Sequence, residues 1–182
     1  VKSSGTTGTV KTMIQTRGVH EARLARSQQH CGFTANTRYF VALGFSVQAY
    51  HLDATACIRA GGTCVFDDKE PLINALGKHA ITDILLLPKT LIELLNGVPE
   101  SHVKSNRLRI FVLGAPVSKT VHGRVSELLS AELSESYGTN EAGAVCRMDP
   151  DGAGTVVPGV RVEVTADDDA PVFGKPGRVR IQ

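Results

Sequence analysis

The sequence predicts an α/β fold in which a mostly parallel sheet carries helices on its faces. Short apolar runs alternate with helix-prone segments, and this alternation is typical of parallel sheets. The predicted strand Asp83 to Leu87 is apolar from Ile84 up to Pro88, as expected of a strand that is buried on both faces. The chain has 182 residues, of which 42% are hydrophobic and 21% charged, a balance typical of one globular domain with a sizeable core.

The helix-prone segments are defined by their ends and by their apolar positions. Residues 15–30 form a predicted helix with Ala22, Leu24 and Ala25 as its apolar side. A second predicted helix, residues 49–60, stops at Gly61-Gly62. Asp67 or Asp68 is placed to cap a third helix that runs through residue 76. Residues 90–95 are also predicted to be helical, and Ser118 is expected to cap a last helix that extends to residue 129.

The strands fall between these helices. They are predicted over residues 38–43, 63–66, 83–87 and 109–113. From about Gly152 the pattern changes to Gly/Pro turns and short β segments. We therefore expect an α/β core over residues 1–150 and a β-rich closing segment over residues 151–182.

Charge and composition argue against several classes of partner. The net charge is +2, no run of five basic residues occurs, and aromatic residues make up 5% of the chain, so we expect no nucleic-acid partner. No apolar run approaches the length of a membrane span and no signal peptide is recognisable, so we expect no membrane partner. The four Cys form no CxxC pair, which favours thiols in a reducing, cytoplasmic compartment.

The N-terminal stretch VKSSGTTGTVK is the strongest candidate for a ligand-binding loop. Gly5 and Gly8 let backbone N–H groups turn toward a ligand, and Lys11 adds a positive charge. Neighbouring hydroxyls supply further donors, so the stretch is suited to cradle phosphate oxygens. The spacing of Gly8 and Lys11 differs from that of the nucleoside-triphosphatase P-loop.

A second motif covers residues 135–143, with the sequence ESYGTNEAG. Tyr137 offers a flat ring on which an adenine can stack, and Gly138 lets the backbone approach a nucleotide. Asn140 can donate a hydrogen bond to a phosphate. Glu141 is a hard oxygen ligand of the kind that Mg²⁺ takes together with phosphate oxygens.

Together these motifs resemble the adenylate-forming (AMP-binding) superfamily, which includes acyl-CoA synthetases and adenylation domains. The N-terminal loop is similar to its phosphate loop except at Val10 and Thr12, and residues 135–143 resemble its Y-G-x-T-E segment. Gly114-Ala115-Pro116 is similar to its G-G-A-P segment, with Leu113 in place of the first Gly. The resemblance covers nearly all of the chain in one collinear pass.

The resemblance implies roles for individual residues. Lys11, Asn140 and Glu141 are implied to be catalytic, and Thr6 and Glu141 to hold the metal. The implied nucleotide-binding residues are Ser3, Ser4, Gly5, Thr6, Thr7, Gly8, Lys11, Gly114, Ala115, Pro116, Glu135, Ser136, Tyr137, Gly138, Thr139 and Asn140.

The implied activity is a ligase reaction that uses ATP, Mg²⁺ and coenzyme A. A carboxylic acid would be activated as an acyl-adenylate and then transferred to the coenzyme A thiol. Two alternatives stay open: an enzyme that loads a carrier-protein thiol, and a non-catalytic ATP- or AMP-binding module. The resemblance also implies that the chain is a central part of a large N-terminal domain, inactive by itself and prone to self-associate through exposed apolar surface.

The class of acid is partly implied. Amino-acid-activating relatives carry an Asp where this chain has Ser46, which favours an acid without an α-amine, either fatty or aromatic. In that comparison Gly44, Phe45, Val47 and Tyr50 would form an apolar wall of the acid pocket.

Overall fold

A seven-stranded sheet organises the molecule, with helices on both of its faces. The computed structural model describes residues 2–3, 11–45, 47–149, 151–167 and 170–182. In chain order the described elements are β1 (Lys2–Ser3), β2 (Lys11–Thr12), α1 (Arg17–Cys31), β3 (Arg38–Phe40), α2 (Gln48–Arg59), β4 (Thr63–Val65), α3 (Leu72–Lys78), β5 (Asp83–Leu86), α4 (Pro88–Asn96), β6 (Ser105–Leu113), α5 (Lys119–Leu128), β7 (Ser130–Thr139), β8 (Gly143–Met148), β9 (Gly154–Val156), β10 (Val162–Thr165) and β11 (Arg178–Ile181).

The strand order is β4-β3-β5-β6-β7-β8-β9, and the predicted α/β class is confirmed. The first five strands in this order are mutually parallel, whereas β8 and β9 each run antiparallel to their neighbour. After β3 the chain goes first to one side, to β4, and then to the other, to β5. Ligands in such sheets bind outside the carboxyl ends of the strands at this kind of reversal.

The two faces of the sheet carry separate apolar cores. Alternate strand residues such as Ile84 and Ile110 pack with α3, α4 and α5 on one face. Their neighbours Leu85 and Phe111 pack with α1 and α2 on the other face. This alternation follows from the period of two along a strand. All four residues of β5 are buried, as the sequence predicts.

A charged pair fixes the start of the most buried strand. Asp83 is buried at the first position of β5, and its carboxylate pairs with Arg109 of β6. Thr82 Oγ1 donates to the second Asp83 oxygen at 2.5 Å. Burial raises the pKa of Asp83, and the Thr82 hydrogen bond and the Arg109 charge act in the opposite direction. The contacts with Thr82 and Arg109 therefore offset much of the cost of burying a carboxylate.

Two predictions about helix ends and faces are wrong. The cap of α3 is Pro71, whereas Asp67 accepts a hydrogen bond from the Lys69 N–H at 3.0 Å and pairs with His79 at 2.7 Å. In α1 the expected apolar side is buried only at Leu24, because Ala22 and Ala25 are exposed. The buried residues of α1 are Arg23, Leu24, Ser27 and Cys31. By contrast, the predicted Ser118 cap of α5 is confirmed, because its side chain accepts from the Val121 N–H.

Short strands occupy the C-terminal part, as predicted. β9 extends the main sheet beside β8, and β10 pairs with β11 in a separate two-stranded antiparallel sheet. Within the described ranges, no helix is long and apolar enough to cross a membrane.

Neighbouring residues of α4 give a test of this packing. Leu91 is fully buried in the core beneath α4, whereas Ile92 is 40% exposed. We expect Leu91→Ala to lower the free energy of unfolding by about 2–5 kcal/mol, because a buried cavity is created. Ile92→Ala is the matched control and is expected to cost less than about 1 kcal/mol. Urea unfolding followed by circular dichroism measures both, and equal losses would contradict the assigned face of α4.

Candidate functional site

A cavity of about 260 Å³ lies between the sheet and helices α1 and α2. It is slightly smaller than the about 300–1,000 Å³ that is typical of ligand pockets, which suits a small molecule. Its floor is apolar and is formed by Leu85, Phe111 and Leu113 from β5 and β6. The remaining lining residues come from α1, α2 and the β7–β8 hairpin: Arg23, Arg26, Ser27, His30, Cys31, Gln48, Ala49, Leu52, Asp53, Ser136, Tyr137, Gly138, Thr139, Asn140, Ala142, Gly143 and Ala144.

The second sequence motif forms one side of this cavity. Ser136 to Asn140 run along the end of β7 and into its hairpin turn, and all five residues line the cavity. Tyr137 is 43% exposed, so its ring has a free surface at the carboxyl edge of the sheet. Five of the predicted nucleotide-binding residues are thus brought together around one opening.

Gly138 also has a structural role, which is independent of its predicted contact with a nucleotide. A Cβ at this position would lie 2.5 Å from the carbonyl oxygen of Gly143 on β8 and 3.2 Å from the Ala144 Cα. Both are backbone atoms and cannot move aside as a flexible side chain would. The absence of a side chain at Gly138 therefore permits the close approach of β7 and β8 at the start of the turn.

The turn between β7 and β8 is held by two arginines of α1. Arg23 Nη1 donates to the Asn140 carbonyl oxygen at 3.2 Å, and Arg26 Nη1 donates to the Ala142 carbonyl oxygen at 3.3 Å. These two acceptors flank Glu141. Because charge-assisted hydrogen bonds are stronger than neutral ones, the arginines fix the turn against the helix.

Gln48 at the start of α2 completes this support. With its amide oriented to satisfy both ends, its nitrogen donates to the Asn140 carbonyl oxygen and its oxygen accepts from Arg23 Nη1, each at 2.8 Å. Arg23 is 8% exposed, and burial lowers the pKa of its guanidinium, followed by the charge of Arg26, while Glu141 acts in the opposite direction. The cation is therefore held mainly by carbonyl groups.

Glu141 is exposed at the tip of the turn. The described residues show no cluster of three or more His, Cys, Asp or Glu side chains that could hold a metal ion by themselves. Mg²⁺ is commonly held by one or two carboxylates together with substrate phosphates. A single exposed carboxylate beside the cavity fits a magnesium ion that arrives with a nucleotide.

Asp53 provides a carboxylate inside the cavity. It lies on α2 opposite Ser27 of α1, whose Oγ donates to Asp53 Oδ1 at 2.6 Å. Burial raises the pKa of Asp53 to about 6, and the Ser27 hydrogen bond lowers it in part. Among the described residues no Arg, Lys or His forms an ion pair with Asp53.

His30 links α1 to the same hairpin. Its Nε2 lies 3.0 Å from Ser136 Oγ, and its carbonyl oxygen accepts from Arg147 Nη2 at 3.1 Å. Burial, followed by the nearby Arg147 charge, lowers the pKa of His30. The neutral imidazole is therefore the favoured form at neutral pH, suited to a hydrogen bond with the Ser136 hydroxyl.

Glu135 is placed away from the cavity although it belongs to the same motif. Its carboxylate pairs with His122 of α5 and accepts from the Val117 N–H at 2.8 Å. It therefore anchors the segment that follows Gly114-Ala115-Pro116. These three residues are exposed and lie outside the cavity lining, with Gly114 in the left-handed region at φ 102°.

The predicted phosphate loop lies mostly outside the described residues. Ser4, Gly5, Thr6, Thr7 and Gly8 belong to the part that is not described, as do the side chains of Ser3 and Lys11. The described backbone brings the two ends of the loop together, because Ser3 pairs with Lys11 in the antiparallel β1–β2 ladder.

Several lining residues were not expected from the sequence. Arg23, Ser27 and Cys31 recur at a spacing of four along α1, a polar inner stripe that a search for an apolar helix face overlooks. The residues expected to form the apolar wall of the acid pocket do not line this cavity. Phe45 and Val47 are 50% and 37% exposed and Tyr50 is fully buried, while Gly44 is likewise outside the lining. The α2 residues that line the cavity are Gln48, Ala49, Leu52 and Asp53.

Comparison with known proteins identifies the family. The sequence profile of the family described as AMP-binding enzyme matches residues 3–182. The chain belongs to the AMP-binding enzyme family. A curated member, enterobactin synthase component E from Escherichia coli (strain K12), is 30% identical over 149 residues, which are 76% of this chain and 27% of that protein.

Solved structures of adenylate-forming enzymes share the fold of this AMP-binding chain. The amide bond synthetase McbA from Marinactinospora thermotolerans superposes with a TM-score of 0.84 at 24% identity. The O-succinylbenzoate coenzyme A synthetase MenE from Bacillus subtilis, solved with ATP and magnesium ion, superposes with a TM-score of 0.81 at 21% identity. Each comparison covers 100% of this chain, and the chain spans 39% of McbA and 40% of MenE.

The raised pKa of Asp53 predicts a stability that depends on pH. The folded state holds the Asp53 proton more tightly than the unfolded state, so stability falls as pH rises from about 4 to about 6. In Asp53→Asn the side chain cannot ionise, so this fall in stability with rising pH is absent. We expect the variant to be more stable than the wild type by about 1–3 kcal/mol at pH 7.5 and to match it near pH 4. Urea unfolding at both pH values measures the difference, and a variant that is less stable at pH 7.5 would show that the Asp53 charge is compensated.

Proposed function

We propose that this chain forms the nucleotide- and acid-binding part of a ligase that activates a carboxylic acid with ATP. The carboxylate attacks the α-phosphorus, the acyl-adenylate forms and pyrophosphate leaves. The thiol of coenzyme A then displaces AMP and yields a thioester. The observation that carries the proposal is the cavity against the β7–β8 turn, in a chain whose family match extends over residues 3–182.

The two ends of the cavity suit different ligands, the acid at the floor and the nucleotide at the opening. Its apolar floor, formed by Leu85, Phe111 and Leu113, suits the hydrocarbon part of an acid. Its opening is bordered by Tyr137 and Asn140 at the carboxyl edge of the sheet, where nucleotides bind in folds of this kind. The acid carboxylate would then face the α-phosphate at the level of the turn.

The residues of the chain would act mainly by positioning and by neutralising charge, as in phosphoryl transfer generally. Tyr137 would stack on the adenine, and Asn140 would donate to the α-phosphate. Thr6, Thr7 and Lys11 would hold the departing phosphates, and Glu141 with Thr6 would hold Mg²⁺. When bound, Mg²⁺ neutralises charge on the phosphate oxygens.

We propose coenzyme A as the acceptor of the acyl group. The structurally similar proteins are named for different acceptors, so this choice is tested separately. MenE is named as a coenzyme A synthetase, whereas McbA is named as an amide bond synthetase. Both share the fold of this chain, so the fold does not select the acceptor. A carrier-protein thiol is the alternative acceptor, and exchange of pyrophosphate tests the first step independently of either one.

Loss of the proposed magnesium ligand tests the first step. We expect Glu141→Ala, in the complete polypeptide as its cell produces it, to lower acid-dependent ATP–pyrophosphate exchange by at least about 100-fold, because one such electrostatic contact is worth about 3 kcal/mol in a transition state. Glu127→Ala is the matched control, since Glu127 is exposed on α5 and lies outside the cavity lining. Exchange that is unchanged in the Glu141 variant would exclude the assigned role.

The arginine support of the turn gives an independent test. Arg23→Gln removes the charge that holds the Asn140 carbonyl, so we expect KM for magnesium–ATP to rise about tenfold through a displaced Glu141. Arg17→Gln on the exposed part of the same helix is the control and should leave KM unchanged. An unaltered KM in the Arg23 variant, with the fold intact by circular dichroism, would show that the turn keeps its position without this contact.

A further inference from the structure

The cavity contains a carboxylate that the proposed ATP chemistry does not use. Asp53 lies on its α2 wall, and its described hydrogen-bond donor is Ser27, which reaches Oδ1 at 2.6 Å. The second oxygen, Oδ2, accepts no hydrogen bond from the residues described and keeps accessible surface, so a ligand in the cavity can reach it. The half-buried carboxylate loses part of its solvation without an ion-pair partner among the described residues, which costs free energy unless another group supplies donors.

The arginines that line the cavity with Asp53 donate hydrogen bonds to other groups. Arg23 and Arg26 line the same cavity, but their Nη1 groups donate to the carbonyls of the β7–β8 turn. The hydroxyls of Tyr39 and Tyr50 are buried and have no described partner. Burial raises the pKa of both tyrosines and the Asp53 charge raises it further, which places both rings near the carboxylate. Among the residues that the structure describes, the surroundings of Asp53 are thus polar at a few points and include no cation paired with its carboxylate.

Asp53 lies far from the proposed reacting end of the cavity. Gln48 at the start of α2 contacts the Asn140 carbonyl, and Asp53 follows five residues later. A helix rises about 1.5 Å per residue, so Asp53 lies roughly 7.5 Å deeper along the α2 wall. Ser27 is likewise one helical turn beyond Arg23 on α1. A ligand whose carboxylate lies at the turn would present its far end to Asp53.

We propose that Asp53 selects the acid substrate by accepting a hydrogen bond from a hydroxyl or amino group at the end remote from the reacting carboxylate. The inference rests on the proposed function, because it takes the cavity as the acid-binding site. The proposed substrate is thus no longer any apolar acid but a small acid that carries a hydrogen-bond donor at the end remote from its carboxylate. Ser27 acts as a positioning residue, since its hydrogen bond fixes the orientation of the Asp53 carboxylate.

The test compares acids of one shape that differ in the distal group. Benzoates that carry a hydroxyl, an amino or a methyl group at the meta or para position are assayed by ATP–pyrophosphate exchange with the complete polypeptide. We expect kcat/KM to be at least about tenfold higher for the best hydroxyl or amino acid than for its methyl counterpart, as one hydrogen bond to a charged group provides. The aromatic amino group is uncharged at neutral pH, so the amino and the hydroxyl forms both act as neutral hydrogen-bond donors, and a preference for either over the methyl form supports the inference.

Variants separate recognition from a structural role. Asp53→Asn is expected to reduce the preference to about threefold or less, and Asp53→Leu to reverse it in favour of the methyl acid. Ser27→Ala removes the hydrogen bond that orients the carboxylate but keeps its charge, so the preference should fall to a value between those of wild type and Asp53→Asn. Asp68→Asn makes the same chemical change at an exposed position and serves as the control. Thermal unfolding verifies that each variant is folded, and Asp53→Asn alone suffices if Asp53→Leu does not fold.

Two results would overturn the inference. One is a wild-type protein that prefers the methyl acids, and the other is a preference that is the same in wild type and Asp53→Asn. Failure of the proposed function has a different signature, namely no exchange with any acid. In that case calorimetric titration of the same acids into wild type and Asp53→Asn decides the role of Asp53, because equal affinities for hydroxyl and methyl acids would exclude it.

Discussion

Burial of the central parallel strands on both faces is the constraint on which the rest of this structure depends. Every residue of β5 is buried, and Ile110, Phe111 and Val112 of β6 are no more than 5% exposed. Such strands need a layer of helices on each side, which the five described helices provide. The carboxyl ends of β5, β6 and β7 are thereby brought to one edge, and the β7–β8 turn that carries Asn140 and Glu141 follows from this edge.

The two faces of the sheet are covered by helices in different ways, and this difference creates the cavity. On the face of α3, α4 and α5, leucine and isoleucine side chains fill the space against the sheet. On the other face α1 presents Arg23, Ser27 and Cys31, whose polar groups need partners more than they need close packing. The arginines find carbonyls at the turn and Ser27 finds Asp53, and the space between these contacts stays open above Leu85 and Phe111.

The same polar contacts connect stability with the proposed chemistry. The contacts of Arg23 and Arg26 hold the backbone on both sides of Glu141, whereas Asp53 holds a charge for which the described protein supplies no cation. A protein that keeps such a carboxylate gives up stability at neutral pH, and perturbed groups of this kind concentrate at functional sites. Together these features suit a site in which the reacting end of an acid is fixed at the turn and its far end is selected by a hydrogen bond.

Local patterns in the sequence are enough to predict the family, the α/β class and the positions of most helices and strands. The ESYGTNEAG motif, the apolar run of β5 and the Ser118 cap each act within a few residues of chain. Contacts in the folded chain determine which side of α1 is buried, and they turn Glu135 away from the cavity while Ser136 faces it. They also bring Asp53 to Ser27 across 26 residues of chain. These outcomes depend on partners that are remote in sequence, and a local pattern carries no information about such partners.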